Sequence, residues 1–108
     1  MDERASQVAD QLLLIERELR QLGWWQSEAP SAEALASQTP FCVDTLAFEQ
    51  WLQWILLPRM KVLLESDAPL PAVSGIKAMA EMAYREQPVK VRGLLDVLGE
   101  FDRVLTRA

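Results

Sequence analysis

The sequence predicts an all-α fold, a small up-and-down four-helix bundle with a long tryptophan-containing loop between the first two helices. Three observations carry this expectation. Four segments repeat apolar residues at spacings of three and four, which stacks them along one helical face. No segment alternates with period two, as a half-buried strand would. A length of 108 residues at 50% hydrophobic composition suits one domain, 1–108, around one core.

The first helix is expected from about Glu3 to Leu22, because Val8, Leu12, Ile15, Leu19 and Leu22 fall on one stripe. Gly23 supplies the left-handed residue that commonly ends a helix. A long connection follows, with Trp24, Trp25, Pro30 and Pro40. Within it, Ser31 before Ala32-Glu33-Ala34-Leu35 predicts one capped turn. A loop this long is unusual unless it packs, so the two tryptophans are expected to fold it onto the bundle. The second helix is expected to begin at Asp44 as N-cap, or a turn earlier behind Thr39-Pro40, and to reach about Glu65. Ser66 to Pro71 reads as an extended, proline-stiffened crossing. The third helix is expected at about Gly75 to Glu86. Pro88 stops it and opens a fourth helix, with Val91, Leu94, Leu95, Leu98, Phe101 and Leu105 aligned.

The second helix is the unusual element. On an ideal wheel, Phe48, Trp51, Leu52, Trp54, Ile55, Leu56, Val62 and Leu63 fill an arc of roughly 200°. Leu57, Met60 and Leu64 fall on the other side, with Glu49, Gln50 and Gln53. Either the helix is central, or it keeps a second apolar face for a partner. Pro58 removes a backbone donor inside this run and predicts a kink. Arg59 falls in the middle of the apolar arc, and Asp102 falls inside the apolar stripe of the fourth helix. A guanidinium stays charged, so a buried one must be paired. The expectation is a buried Arg59–Asp102 ion pair, with Glu16 as the fallback partner. A solvent-reaching Arg59 and an anion-binding Arg59 are the other two readings.

Composition closes off several chemistries. There is no histidine, which excludes Ser-His-Asp and Cys-His catalysis and histidine-ligated metals. One cysteine, Cys42, rules out an internal disulfide and cysteine-rich metal sites. Its neighbours Phe41 and Val43 predict a buried, inert thiol. The glycines match no phosphate-cradling pattern. Asp44 and Glu49 lie five apart, so they share no helical face as an acid/base couple. No catalytic residue, metal or cofactor is implied. The net charge of −5 disfavours direct binding of nucleic acid, since the basic residues are scattered and Glu81 and Glu86 interleave the densest group, Arg85, Lys90 and Arg92. The charged start Met1-Asp2-Glu3-Arg4 and the absence of a run of about 20 apolar residues predict a cytoplasmic protein with no membrane span.

Thr39-Pro40-Phe41-Cys42-Val43-Asp44-Thr45-Leu46, then Phe48-Glu49-Gln50-Trp51-Leu52-Gln53-Trp54 and Leu57-Pro58-Arg59-Met60, resemble the signature of the YqcC-like proteins, small bacterial proteins of unknown function. The resemblance extends to Leu19-Arg20, Trp24, Pro30-Ser31, Leu70-Pro71, Met79-Ala80-Glu81 and Phe101-Asp102, and so covers nearly the whole chain. It implies a helical bundle and, through the labels some members carry, an association with a tRNA pseudouridine synthase encoded nearby. Such synthases use an aspartate in an Arg-Leu-Asp type motif. This chain has no such tripeptide; Arg92-Gly93-Leu94-Leu95-Asp96 is a helical stretch. The resemblance therefore implies an accessory protein and not the catalyst.

Two functions are expected. The first is a non-enzymatic module that binds a protein partner, or a second copy of itself as a homodimer. Its surface would be Trp24, Trp25, Trp51, Trp54, Leu57 and Met60. The second is a module that binds a small apolar or anionic ligand in an aromatic pocket between helices, with Arg59 as the anchor.

Overall fold

The computed structural model describes residues 4–70 and 75–106, and among them every regular element is helical. Helix α1 spans Ala5–Gln21, α2 is the single turn Ala32–Leu35, and a 3-10 turn covers Pro40–Cys42. A continuous rod follows, built from α3 (Phe48–Trp51), a π-helical segment (Leu52–Leu56) and α4 (Leu57–Glu65). Helices α5 (Ile76–Ala83) and α6 (Arg92–Thr106) complete the described elements. Glu3 and Pro71, expected in the first helix and in the proline crossing, lie outside the described residues.

Helix α1 buries the stripe its spacing predicts, Val8, Leu12, Ile15 and Leu19. It packs mainly on α6, which buries Leu94, Leu98, Phe101, Val104 and Leu105; α4 also touches α1, and α5 lies on α6. Gly23 ends α1 at φ +76°, donating to the Arg20 carbonyl, while Trp24 donates to the Leu19 carbonyl at 2.9 Å. This is the paired left-handed C-cap that glycine favours. Ser31 caps α2 as its position predicts, its hydroxyl accepting from the Ala34 N–H at 3.1 Å.

The rod begins later than expected. Asp44 is not its N-cap: Phe41 and Cys42 take left-handed backbone angles, φ +58° and +51°, and turn the chain away before Asp44 can start a helix. Helix α3 starts at Phe48 instead, with the Gln50 side chain accepting from the Ala47 N–H at 2.9 Å.

The proline acts through a π-turn. Pro58 has no N–H to give the Trp54 carbonyl, and its ring crowds that carbonyl in an α-helix. Just ahead of it the helix widens, and the Leu57 N–H reaches back five residues to the Leu52 carbonyl. The extra residue in the turn rotates everything after it by about 100° relative to an ideal wheel. Met60, at 2% exposed, therefore takes the core direction that the wheel assigns to Arg59, and Leu57 is buried at 1%. Val62, expected inside the apolar arc, is 62% exposed.

The same rotation corrects the expected ion pair. Arg59 is exposed and makes no salt bridge among the described residues. Asp102 does face inward, but its carboxylate accepts from two backbone amides, Ile76 at 3.0 Å and Lys77 at 2.8 Å. It caps the start of α5 from the side of α6 and so staples the two helices together. Glu16, the fallback, accepts from Arg20 on its own helix at 2.9 Å. Asp102→Ala should thus lower the unfolding free energy by about 1–2 kcal/mol, while Arg59→Ala stays within about 0.5 kcal/mol of the parent. Urea denaturation of the two variants measures both; equal losses would contradict the cap.

Candidate functional site

The aromatic residues largely pack on one another. Trp24 stacks on Tyr84 with ring centroids 5.2 Å apart, and Tyr84 meets Phe48 edge-on at 6.0 Å. Phe48 stacks on Trp51 at 5.7 Å, and Phe41 closes on Trp51 at 4.8 Å. This chain of rings joins the loop after α1, the end of α5, the head of the rod and the 40–42 turn. Each such pair contributes roughly 0.5–1.5 kcal/mol beyond burial. Trp24 and Trp51 are half-buried in it. Leu57 and Met60 of the expected interaction surface lie in the core, while its four tryptophans are half-buried. Only Trp25 and Trp54 remain of it away from the chain of rings.

Those two tryptophans flank a second device. Gln53 is buried, and its side-chain amide clasps the backbone of Gln26: the Gln26 N–H donates to Gln53 Oε1 at 2.9 Å, and Gln53 Nε2 donates to the Gln26 carbonyl at 2.7 Å. The Gln26 side-chain oxygen accepts from Trp54 Nε1 at 3.1 Å. Arg20 lies over the Trp25 ring at 4.7 Å, a cation–π contact at the edge of the same loop. Gln53 and Trp54 both lie in the π-helical segment. Sequence reading overlooked Gln53, because an ideal wheel puts it on the polar side. No sequence signal marks Gln53 for this role without the rod's register.

One concave surface lies here, lined by Trp25, Gln26, Gln53, Trp54 and Leu57, and another lies elsewhere. A cleft of about 800 Å³ runs between the 40–46 turn and the end of α5. Phe41, Leu46, Phe48 and Met79 line it, and Val43 and Met82 stand at its lip, 52% and 68% exposed. Tyr84 forms part of its floor and donates its hydroxyl to Glu49 at 2.9 Å. Burial, helped by the neighbouring Glu49 charge and hydrogen bond, pushes the Tyr84 phenol far above its ordinary range. Asp44, beside Val43, accepts from the Ser37 hydroxyl at 2.6 Å, and this bond holds its carboxyl below the usual carboxylate value. Cys42 is buried, with its thiol facing the Ser37 carbonyl at 3.8 Å.

Among the described residues, no group of three or more His, Cys, Asp or Glu side chains could hold a metal ion. No described helix is long and apolar enough to cross a membrane. The arrangement offers a cleft lined by both apolar and polar residues, with the Tyr84–Glu49 hydrogen bond holding its floor.

The fold defines a small module whose described regular elements are all helical. Residues 7–104 match the family DUF446, described as tRNA pseudouridine synthase C, and the chain belongs to that family. It is 41% identical over 81 residues to an uncharacterised protein of Haemophilus influenzae, covering 75% of this chain and 76% of that one. It is 38% identical over 73 residues to the uncharacterised protein YqcC of Escherichia coli, covering 68% of this chain and 67% of that one. The solution NMR structure of E. coli YqcC superposes with a TM-score of 0.85 at 30% identity, over 97% of this chain and 90% of the other. A protein of Pectobacterium carotovorum named tRNA pseudouridine synthase C is 48% identical over 68 residues, and these are 63% of this chain but 18% of that protein.

Two outcomes are expected from this geometry. Gln53→Leu removes two hydrogen bonds to the Gln26 backbone and should cost about 1–3 kcal/mol, with a red shift in tryptophan emission as the loop loosens; urea denaturation followed by fluorescence reads both. The second concerns pH. Folding raises the phenol's proton affinity above that of the unfolded chain, so this stability is full below the ordinary value of 10.0 and is lost as pH rises beyond it. The slope is about 1.4 kcal/mol per pH unit from this one group. Tyr84 is the chain's one tyrosine, so Tyr84→Phe should remove that slope above about pH 10, measured as the difference in urea midpoints between the two proteins.

Proposed function

We propose that the chain is a non-enzymatic interaction module, auxiliary to tRNA modification, which acts by contact with a tRNA pseudouridine synthase. One observation carries the reading. In the Pectobacterium protein of that name, the stretch similar to this chain takes up 18% of the length. More than four-fifths of the named protein thus lies outside the matched stretch, in the same polypeptide. A module that shares a chain with an enzyme in one organism is a natural partner of that enzyme where the two are separate.

The chemistry of this chain supports the division of labour. It carries no Arg-Leu-Asp motif and no histidine, and its charge is −5 where a tRNA-binding catalyst draws on lysine and arginine. Exposed apolar side chains, Val43 and Met82, stand at its cleft beside polar ones, a mixture that suits a protein contact. The same charge supports protein, and not RNA, as its direct partner.

Calorimetric titration of the whole chain into the tRNA pseudouridine synthase C of the same source tests this. The expected result is a one-to-one complex with a Kd of about 10 µM or tighter, and no pseudouridine formed in tRNA by the chain alone. Absence of binding at about tenfold higher concentration, or pseudouridine formation by the chain alone, would overturn the reading.

A further inference from the structure

We propose that the concavity between the tryptophan loop and the rod binds a small flat aromatic anion, with Trp25 and Trp54 against its ring and Lys61 against its charge. The site goes beyond contact with a synthase and is tested without one.

Shape is the first ground. The concavity holds about 420 Å³, the size of a small-molecule site. Trp25 and Ser27 line it from the loop, and Trp54, Leu57, Pro58 and Lys61 line it from the rod. Trp24 and Trp51 have their rings packed on other rings. Trp25 and Trp54 differ: among the described residues, neither stacks on another aromatic ring. Both are half-buried and both line the concavity. An aromatic ring entering there meets indole surface from two elements, a contact worth more than its buried area alone.

The walls are set before anything binds. Gln53 holds the Gln26 backbone through two hydrogen bonds, and the Gln26 side-chain oxygen accepts from Trp54 Nε1 at 3.1 Å. One short network therefore fixes the loop wall and orients the indole of the rod wall. The Arg20 guanidinium, itself bonded to Glu16, lies 4.7 Å from the centre of the Trp25 ring and steadies the other indole. Walls fixed in advance spare a ligand the entropy of ordering them.

Charge selects the occupant. Lys61 is the one ionisable side chain in the lining, and it is a cation. It is exposed and makes no ion pair among the described residues, although Glu65 lies one turn further along α4. The other polar lining residues are Gln26, Ser27 and Gln53, which carry no charge. Glu28 lines the adjoining concavity beside Gln50 and not this one. A cationic ligand would be repelled here, and a neutral one would leave the ammonium unused. The net charge of −5 opposes a polyanion. A single anionic group feels mainly Lys61, because charges beyond about 10 Å are screened. The sequence places an anion anchor at Arg59; the π-turn leaves Arg59 outside this lining and Lys61 in it.

Naphthalene-2-sulfonate is the probe, titrated into the whole chain and followed by calorimetry and by NMR of the indole N–H groups. The expected result is saturable one-to-one binding with a Kd of about 0.1 mM, which about 14 non-hydrogen atoms support at ordinary ligand efficiency. The Trp25 and Trp54 signals should shift, while those of Trp24 and Trp51 stay in place. Naphthalene-2-methanol has the same ring without the charge and should bind about threefold to fivefold more weakly. Lys61→Gln should erase that preference, and Lys61→Arg should keep it. Arg59→Gln removes an exposed cation outside the lining and should change the Kd by less than about twofold. All three positions changed are at exposed side chains, so thermal midpoints should match the parent's. The proposal fails if no saturable binding occurs by about 5 mM probe, if the shifts centre on Trp24 or Trp51, or if the preference for the anion survives Lys61→Gln. It fails equally if tRNA displaces the probe in the parent but not in Lys61→Gln, which would give the site to RNA.

Discussion

The missing N–H of Pro58 governs the rest of the structure. A helix interrupted there has two ways to cope: bend, or widen. This one widens over Leu52–Leu56, and the five-residue reach of the Leu57 N–H resets the register of the rod. At the head of the rod and the start of the π-turn, Phe48 and Leu52 face the core; from its last residue onward, Leu56, Leu57 and Met60 do. A single inserted residue thereby moves Arg59 to solvent and Met60 inward. It also turns Gln53, an amide with two donors and an acceptor, toward a loop whose backbone needs both. The tryptophan loop is held because a proline four residues beyond Trp54 cannot donate.

The ring contacts depend on that arrangement. Trp24 reaches Tyr84 only if the loop after Gly23 lies against the rod, and the Gln53 clasp on Gln26 fixes it there two residues later. Tyr84 in turn ties the end of α5 to Glu49 and Phe48 at the head of the rod. The far end of α5 is held by Asp102 of α6. A helix of eight residues, too short to be stable alone, is thus fixed at both ends by side chains from other elements.

Much of this was legible in the letters, and what was not has a specific cause. The stripes of α1 and α6, the Gly23 terminus and the Ser31 cap follow from short-range rules that the wider fold does not override. The rod was legible as a helix but not in its register, because a wheel assumes 3.6 residues per turn throughout. Arg59, Leu57, Met60 and Val62 were all placed on the wrong side by that one assumption. Asp102 was rightly singled out as a carboxylate facing inward. Its partner is not legible from side chains alone, because the unpaired amides at the start of α5 are the nearer demand. The cleft was hidden because it rests on left-handed angles at Phe41 and Cys42, which neither residue type announces.

Arg4 provides a different lesson. Its guanidinium donates to the Leu105 carbonyl at the end of α6 and also to the Leu70 carbonyl at 3.4 Å. The start of α1 and the end of α6 therefore sit at one pole of the molecule, as α1 and α6 pack side by side. Tethering another module to either end would place it over the same hemisphere, leaving the packed helices undisturbed. The matched stretch makes up most of two relatives and 18% of a third, and this geometry suits a unit found both alone and beside further chain. The linker can be gained, lost or moved between ends while the folded unit stays as it was.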